Sequence, residues 1–333
     1  MSRLLLTQAV ADASADVDLP GIVERTGVAI DSLLFPDEGT ELTDAELAQV
    51  ETAYASPDLF TDGVSAALRF FDLLERAPNL RWVHLGFAGI DLPLFGTLLD
   101  RGVRLSNSPT SAAEPIAHTA MAGLLALARR FPFWAEAQRD REWRRLPNEL
   151  IAEDLSKQTL VVYGLGAIGG ELARLAQAFG IYVIGVRRRP GEAEDAVDEL
   201  VHPDQLDAVL PRADWLAVTA NLTGETRGAI SAERLALLPS GAHVINVSRG
   251  AIIDEAALID ALRSGGLGGA YLDVFAVEPL PAESPLWDLP NVIISPHNSW
   301  AAKGNPERAR AAFLENLECW LSGDPLPQEV YER

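Results

Sequence analysis

Cysteine is almost missing: Cys319 is the only one in 333 residues. A single thiol excludes a disulfide framework and a cysteine metal site, so no metal is expected. Positive charge is also scarce, with 27 Lys and Arg against 48 Asp and Glu and a formal net charge of -21. That balance argues against nucleic acid or an anionic membrane as partner, since both need a basic face. An anionic ligand must instead be captured by local arginines against an unfavourable overall field. The acidity itself reads as a source of solubility. No apolar run approaches the length that crosses a bilayer. Residues 1–7 are too short for a signal-peptide core and read as a strand, so a soluble, cytoplasmic protein is expected. No segment has a low-complexity composition. The length suggests about two domains, and 48% hydrophobic residues are ample for two cores.

What is present is organised around residues 160–169, Leu-Val-Val-Tyr-Gly-Leu-Gly-Ala-Ile-Gly. An apolar run of strand type ends in Gly164-x-Gly166-x-x-Gly169 and passes directly into a helical pattern. In a dinucleotide fingerprint the first glycine makes the tight turn and the second admits a pyrophosphate. The third lets helix and strand pack closely. The helix amides around Ala167 and Ile168 would then face the phosphates. Glycines also mark ordinary turns, but here strand, helix and a second strand at 182–186 follow in the required order. That second strand runs into Arg187-Arg188-Arg189-Pro190. NAD-binding sheets carry an acid about 20 residues past the first glycine, whereas an arginine there accommodates a 2′-phosphate. Arg187 and Arg188 therefore predict a preference for NADP, with NAD possible. The alternative is that the arginines solvate a loop and pair with Glu192 or Glu194, which lie beyond Pro190.

The remaining chain reads as two α/β units. Strands are expected over 3–8, 27–30, 50–55, 80–85 and 103–106. Thr43-x-x-Glu46 is a candidate capping box. A helix over 64–76 sets Val64, Leu68, Phe71 and Leu74 at helical spacing and stops at Pro78. A long helix over 112–130, interrupted near its start by Pro115, is apolar on most faces and expected to be buried between domains or subunits. Residues 131–147, with Trp134 and Trp143, read as a solvated arm or a subunit-contact arm. Further strands at 215–219, 243–247, 270–274 and 292–295 complete six parallel strands of a doubly wound sheet. A final helix at 306–321 and a short tail are too small for a domain and should return to the first one. Boundaries are placed at 1–105 with 298–333, and 106–297.

Ligands bind outside the carboxyl ends of such strands. Arg249, Glu278 and His297 each lie just beyond one of three successive strand ends. Hydride arriving at a ketone carbon leaves charge on its oxygen, and a histidine can donate the proton required. A neighbouring carboxylate favours the imidazolium and orients the ring. An arginine holds a carboxylate or carbonyl through paired hydrogen bonds. Taken singly, Arg249 could be a surface ion-pair residue, Glu278 a capping acid and His297 a loop histidine. Together they suit reduction of a 2-oxo acid.

Five ordered motifs carry a resemblance over nearly the whole chain. They are Gly164-Leu-Gly-Ala-Ile-Gly169, Asn221-Leu-Thr-Gly-Glu-Thr-Arg-Gly228, Asn246-Val-Ser-Arg-Gly250, Leu272-Asp-Val-Phe-Ala-Val-Glu-Pro279 and Ser295-Pro-His-Asn298. The sequence resembles the D-isomer-specific 2-hydroxyacid dehydrogenases, glyoxylate/hydroxypyruvate reductase-like members among them. The resemblance implies a Rossmann coenzyme domain inserted into a smaller flavodoxin-like α/β substrate domain, and a homodimer built on the coenzyme domains. It implies that His297 is the acid/base, that Glu278 supports it and that Arg249 binds substrate. It further implies that the backbone of Phe87, Ala88 and Gly89 holds the substrate carboxylate, and that Ser248 and Asp273 lie on the cofactor. Phe87, Ile90 and Trp300 are candidate pocket walls. The sequence departs from the family at Glu114-Pro115, where an Ala-Glu-His is common, so His118 is read as structural. Arg187 is the second departure. A non-enzymatic nucleotide sensor or co-repressor on the same fold is the alternative, and retention of all three catalytic types argues for an enzyme.

Overall fold

The computed structural model of the protein describes residues 2–61, 64–189 and 196–330. The chain divides into two compact units, Met1–Ala112 with Ala302–Arg333, and Ala113–Ala301. The junctions fall at 112/113 and 301/302, slightly beyond the expected 105/106 and 297/298.

In the first unit, β1 (Ser2–Leu6), β2 (Ile30–Leu34), β3 (Thr52–Ala55), β4 (Trp82–Leu85) and β5 (Arg104–Asn107) lie parallel in the order β5-β4-β3-β1-β2. Glu329–Val330 adds an antiparallel strand beside β5. Leu4, Leu5 and Leu6 are all fully buried, as a parallel strand covered on both faces requires. Leu5 packs with Phe70, Leu74 and Leu98 on one face. Leu4 and Leu6 pack with Ile22, Phe313 and Leu317 on the other. Helix Asn305–Ser322 supplies those last two residues, and the Phe313 ring stacks on Tyr54 with centroids 4.2 Å apart.

Local chemistry adjusts several expected boundaries. Thr7 ends β1 early, because its hydroxyl accepts from Val10 N–H and opens helix Gln8–Ser14. The strand expected at 27–30 begins only at Ile30, since Gly27, at φ 68°, caps helix Asp18–Thr26. Thr43 and Glu46 form the expected capping box. Helix Ser65–Arg76 buries Ala67, Phe70, Phe71 and Leu74, a spacing that defines one face. Val64 and Leu68 fall just past the edge of that face and are each 62% exposed, contrary to expectation.

The second unit is a seven-stranded parallel sheet of β6 (Thr159–Tyr163), β7 (Tyr182–Val186), β8 (Glu199–Val201), β9 (Trp215–Val218), β10 (His243–Asn246), β11 (Gly269–Leu272) and β12 (Val292–Ile294). Its order is β12-β11-β10-β9-β6-β7-β8. The seventh strand, β8, was not expected: three residues at the sheet edge carry too little pattern. The chain winds outward from β6 to β8 and then crosses back to β9, on the other side of β6. That reversal marks the position where doubly wound sheets take ligands. Val161, Ile184, Leu216 and Val244 fill one face of the sheet, and Leu160, Val162, Val183 and Ile245 the other.

Helix Ala113–Ala128 belongs to this second core, with Ala117, Ala120 and Leu124 packed against it. At Gly123 a Cβ would stand 2.4 Å from the Tyr271 ring, so helix and β11 meet closely. Pro115 lies in the first turn, where helix amides have no acceptor, and does not break the helix. Within the expected arm, residues Phe131–Arg139 form a helix. Among the described residues, no helix is long and apolar enough to cross a membrane.

Phe313→Ala tests whether the returning helix is part of the first core. Removing a fully buried, stacked aromatic should cost about 3–5 kcal/mol. Urea denaturation followed by tryptophan fluorescence checks this. A loss below about 1 kcal/mol would show that the helix is not docked there.

Candidate active site

Strand β6 delivers the chain into the glycine turn. Gly164 has φ +105°, and a Cβ there would lie 2.3 Å from the Ala220 amide nitrogen. At Gly169 a Cβ would lie 2.2 Å from the Gly164 carbonyl oxygen, so its absence lets helix Ala167–Ala178 close onto β6. Gly166 differs: nothing stands within 4 Å of a Cβ built there. The first backbone bond of the helix runs from Gly170 N–H to Gly166 C=O, at 2.8 Å. The amides of Ala167, Ile168 and Gly169 therefore have no acceptor within the helix and form an anion-binding end. Two glycines that permit contact and one that leaves open space fit a dinucleotide pyrophosphate.

At the end of β7, Arg187 donates its backbone N–H to Val201 C=O at 3.1 Å, and its Nε to Arg189 C=O at 3.4 Å. Arg188 pairs with Glu225 at 2.9 Å across an exposed surface. This partner comes from the 221–228 motif. Pro190, Glu192 and Glu194 lie outside the described residues.

Strands β10, β11 and β12 lie side by side in parallel register, so the loops behind them are neighbours. At Gly250 a Cβ would sit 1.9 Å from the Phe275 carbonyl carbon. That contact brings the Arg249 loop against the loop carrying Glu278. Asn246 holds the Arg249 loop from below, accepting from Ser248 N–H at 3.1 Å and donating to Arg249 C=O at 3.0 Å. The Ser248 hydroxyl donates to Ala220 C=O, and Arg249 Nη1 to Ser248 C=O at 2.8 Å. Glu278 Oε1 accepts from Phe275 N–H at 2.9 Å, and Oε2 lies 2.7 Å from His297 Nδ1. A carboxylate only accepts, so the Nδ1 proton belongs to the histidine. Burial alone would raise the Glu278 pKa. The hydrogen bonds from His297 and Phe275, and the charges of His297 and Arg249, outweigh it and hold the carboxyl below its ordinary 4.5. The expected trio is thus one electrostatic group.

Asp273, expected on the cofactor, has its carboxylate turned into the loop of residues 295–299 and is 1% exposed. It accepts from Ser295 Oγ at 2.6 Å, Asn298 N–H at 2.9 Å, Ser299 N–H at 3.2 Å and the Ser299 hydroxyl. His297 N–H donates to the Asp273 carbonyl oxygen at 2.8 Å. Within this frame His297 sits at φ 50°, a left-handed conformation uncommon for a side-chain-bearing residue. Tyr271 Oη lies 2.6 Å from Ser295 Oγ. Trp300, expected as a pocket wall, donates its indole N–H to His297 C=O at 3.0 Å. These supporting roles escaped the sequence reading. Ser295 sits inside a recognised motif and carried a signal, whereas Ser299 carried none. In the first unit the Phe87 ring packs edge-on against Phe60, with centroids 5.4 Å apart, and Ile90 joins the same core. His118 is exposed and lies 3.9 Å from Glu114 one helical turn away.

A doubly wound sheet with a phosphate-accepting glycine turn at its switch point, and an Arg–Glu–His group beyond its strand ends, defines a nicotinamide-dependent oxidoreductase. The sequence profile for the D-isomer specific 2-hydroxyacid dehydrogenase, NAD binding domain, matches residues 121–299. The chain belongs to the D-isomer-specific 2-hydroxyacid dehydrogenase family. It is 38% identical over 256 residues to glyoxylate/hydroxypyruvate reductase B of Pectobacterium carotovorum subsp. carotovorum (strain PC1), covering 76% of this chain and 79% of that relative. Among solved structures it resembles a D-isomer specific 2-hydroxyacid dehydrogenase from Xanthobacter autotrophicus Py2 in complex with NADPH and MES. The TM-score is 0.75 at 29% identity, over 99% of this chain and 98% of that one. The NADPH-dependent glyoxylate/hydroxypyruvate reductase of Sinorhizobium meliloti, in complex with NADP and sulfate, gives a TM-score of 0.76 at 28% identity, with the same coverage of both chains.

Because folding lowers the Glu278 pKa, the folded state gives up that proton more readily than the unfolded chain. The resulting stabilisation is complete above the unfolded value of 4.5 and is lost as pH falls through the lower folded value. Glu278→Gln should therefore lower the urea midpoint at neutral pH, with the gap to wild type narrowing below pH 4.5. A gap that is the same at both pH values would contradict this account.

Proposed function

We propose that the protein reduces a small 2-oxo acid to the D-2-hydroxy acid, with NADPH preferred over NADH, as a cytoplasmic homodimer. The observation that carries the chemistry is the 2.7 Å pairing of His297 with Glu278, within electrostatic reach of Arg249. A reduced nicotinamide bound there would supply a hydride to the substrate carbonyl carbon. His297 donates the proton that the carbonyl oxygen takes up, from Nε2, the nitrogen opposite the Glu278 contact. Glu278 keeps the Nδ1 proton in place and favours the charged ring before transfer. Arg249 holds the substrate carboxylate and carbonyl through its planar fork. The amides of Phe87, Ala88 and Gly89 also take the carboxylate, which makes the first unit the substrate-binding domain. Gly164, Gly166 and Gly169, with the amides of Ala167 and Ile168, hold the pyrophosphate.

Arg187 and Arg188 take the adenosine 2′-phosphate, and this is what favours NADPH. The absence of an acid at the end of β7 supports the reading, as do the two similar structures that contain NADPH and NADP. A small substrate is supported by the glyoxylate/hydroxypyruvate relatives. The homodimer is supported by Phe131, Trp134, Trp143 and Ile151, which are 53–97% exposed on one stretch of the second unit. Exposed apolar clusters of this kind mark association surfaces.

His297→Ala should lower kcat by about 10²–10⁴-fold with little change in cofactor affinity. Steady-state turnover of glyoxylate and hydroxypyruvate measures it, and a variant keeping more than about a tenth of wild-type kcat would refute the assignment. Arg187→Asp should weaken NADPH binding roughly ten- to a hundredfold while leaving NADH equal or better. Comparison of kcat/KM for the two cofactors decides this, and a wild-type enzyme that favours NADH would overturn the cofactor assignment.

A further inference from the structure

A histidine that takes no direct part in this chemistry is buried in the first unit, beneath the 86–89 loop. His84, on β4, is fully buried. Its Nδ1 lies 2.7 Å from Ser106 Oγ and its Nε2 2.9 Å from Ser108 Oγ. Trp82 donates its indole N–H to the same Ser106 hydroxyl at 3.0 Å. One ordering satisfies the chain: Trp82 N–H to Ser106, Ser106 O–H to His84 Nδ1, and His84 Nε2–H to Ser108. It requires a neutral ring, and burial pushes the imidazole down to about 3, so the ring stays neutral at working pH.

Ser108 and its neighbours grip the adjacent loop by its carbonyls. Ser111 Oγ donates to Gly86 C=O at 3.5 Å, Ser108 N–H to Phe87 C=O at 3.3 Å, and Asn107 Nδ2 to Ala88 C=O at 2.9 Å. Ser111 Oγ is also bonded to Ser108 C=O at 3.0 Å. In a planar trans peptide, each carbonyl points opposite to the next residue's N–H. Tying the carbonyls of 86, 87 and 88 therefore turns the amides of 87, 88 and 89 to the other side. From beneath, Gly86 packs against the β3 exit: a Cβ there would lie 2.6 Å from Pro57 Cδ, and its N–H donates to Ala55 C=O at 2.8 Å.

We propose that His84 is a positioning residue which, through Ser106 and Ser108 and together with Asn107, aims the amides of Phe87, Ala88 and Gly89 at the substrate carboxylate. The inference rests on the reading of residues 87–89 as the carboxylate loop. Its effect falls on carboxylate affinity, because the network's hydrogen bonds end on the carbonyls of residues 86–88.

The test compares wild type with His84→Gln, Ser108→Ala and Asn107→Ala. Calorimetric titration with oxalate, a carboxylate probe, is set beside glyoxylate kinetics and NADPH binding. Each variant should raise the oxalate Kd and the glyoxylate KM about tenfold, the effect of roughly one hydrogen bond. The kcat should stay within about twofold, and NADPH affinity should not move. Should His84→Gln fail to fold, Asn107→Ala decides, since that side chain is only partly buried. Folded variants with an unchanged oxalate Kd overturn the proposal, and so does a wild type that binds no oxalate. A wild type that binds oxalate but turns over no 2-oxo acid would sink the functional reading. A variant-dependent oxalate Kd would then still support this one.

Discussion

The buried carboxylate of Asp273 is the constraint on which the placement of His297 beside Glu278 depends. A carboxylate removed from water is stable only when its lone pairs are met. Here the partners are Ser295, Ser299 and the amides of 298 and 299, all from the segment that follows β12. Meeting that requirement winds the segment around the end of β11 and holds His297 in a left-handed conformation. Once the backbone is set, the ring falls against Glu278, which is itself held by the amide of Phe275. The pairing of His297 with Glu278 follows from a strand-end carboxylate that must be solvated by protein.

Much of this was legible because each feature left a local trace. The glycine spacing, the capping box at Thr43 and the continuous apolar strands impose their geometry within a few residues. Arg249, Glu278 and His297 could be placed because a doubly wound sheet brings successive strand ends together, whatever lies between them. The losses have equally physical causes. Strand β8 has three residues, too few for a period to show. Val64 and Leu68 lie at the margin of a helical face, where a small rotation decides burial. The partners of Asp273 left no local trace, because side-chain direction at a strand end depends on donors supplied some twenty-five residues later, by Asn298 and Ser299. His84 looked like one more residue of a buried strand, since its partners lie on the next strand, at Ser106, and just beyond its end, at Ser108.

With a net charge of -21 the chain is poorly suited to attract anions, yet its proposed cofactor and substrate are both anionic. On the proposed reading, oriented peptide dipoles meet the difficulty, because they can bind an anion without altering net charge. One set opens helix Ala167–Ala178, and the other is the amides of residues 87–89. On the same reading, arginine is used where planar geometry matters as much as sign, at Arg187, Arg188 and Arg249.

The helix Asn305–Ser322 has a consequence for how the molecule comes into being. Its Phe313 and Leu317 complete the core against Leu4 and Leu6, so the earliest and latest parts of the chain depend on one another. Until that helix is made, Leu4 and Leu6 lack the cover of Phe313 and Leu317. The inserted unit has its whole sequence available first, by residue 301. The order of maturation therefore runs from the middle outward, and the early segment spends the longest time with leucines unsheltered.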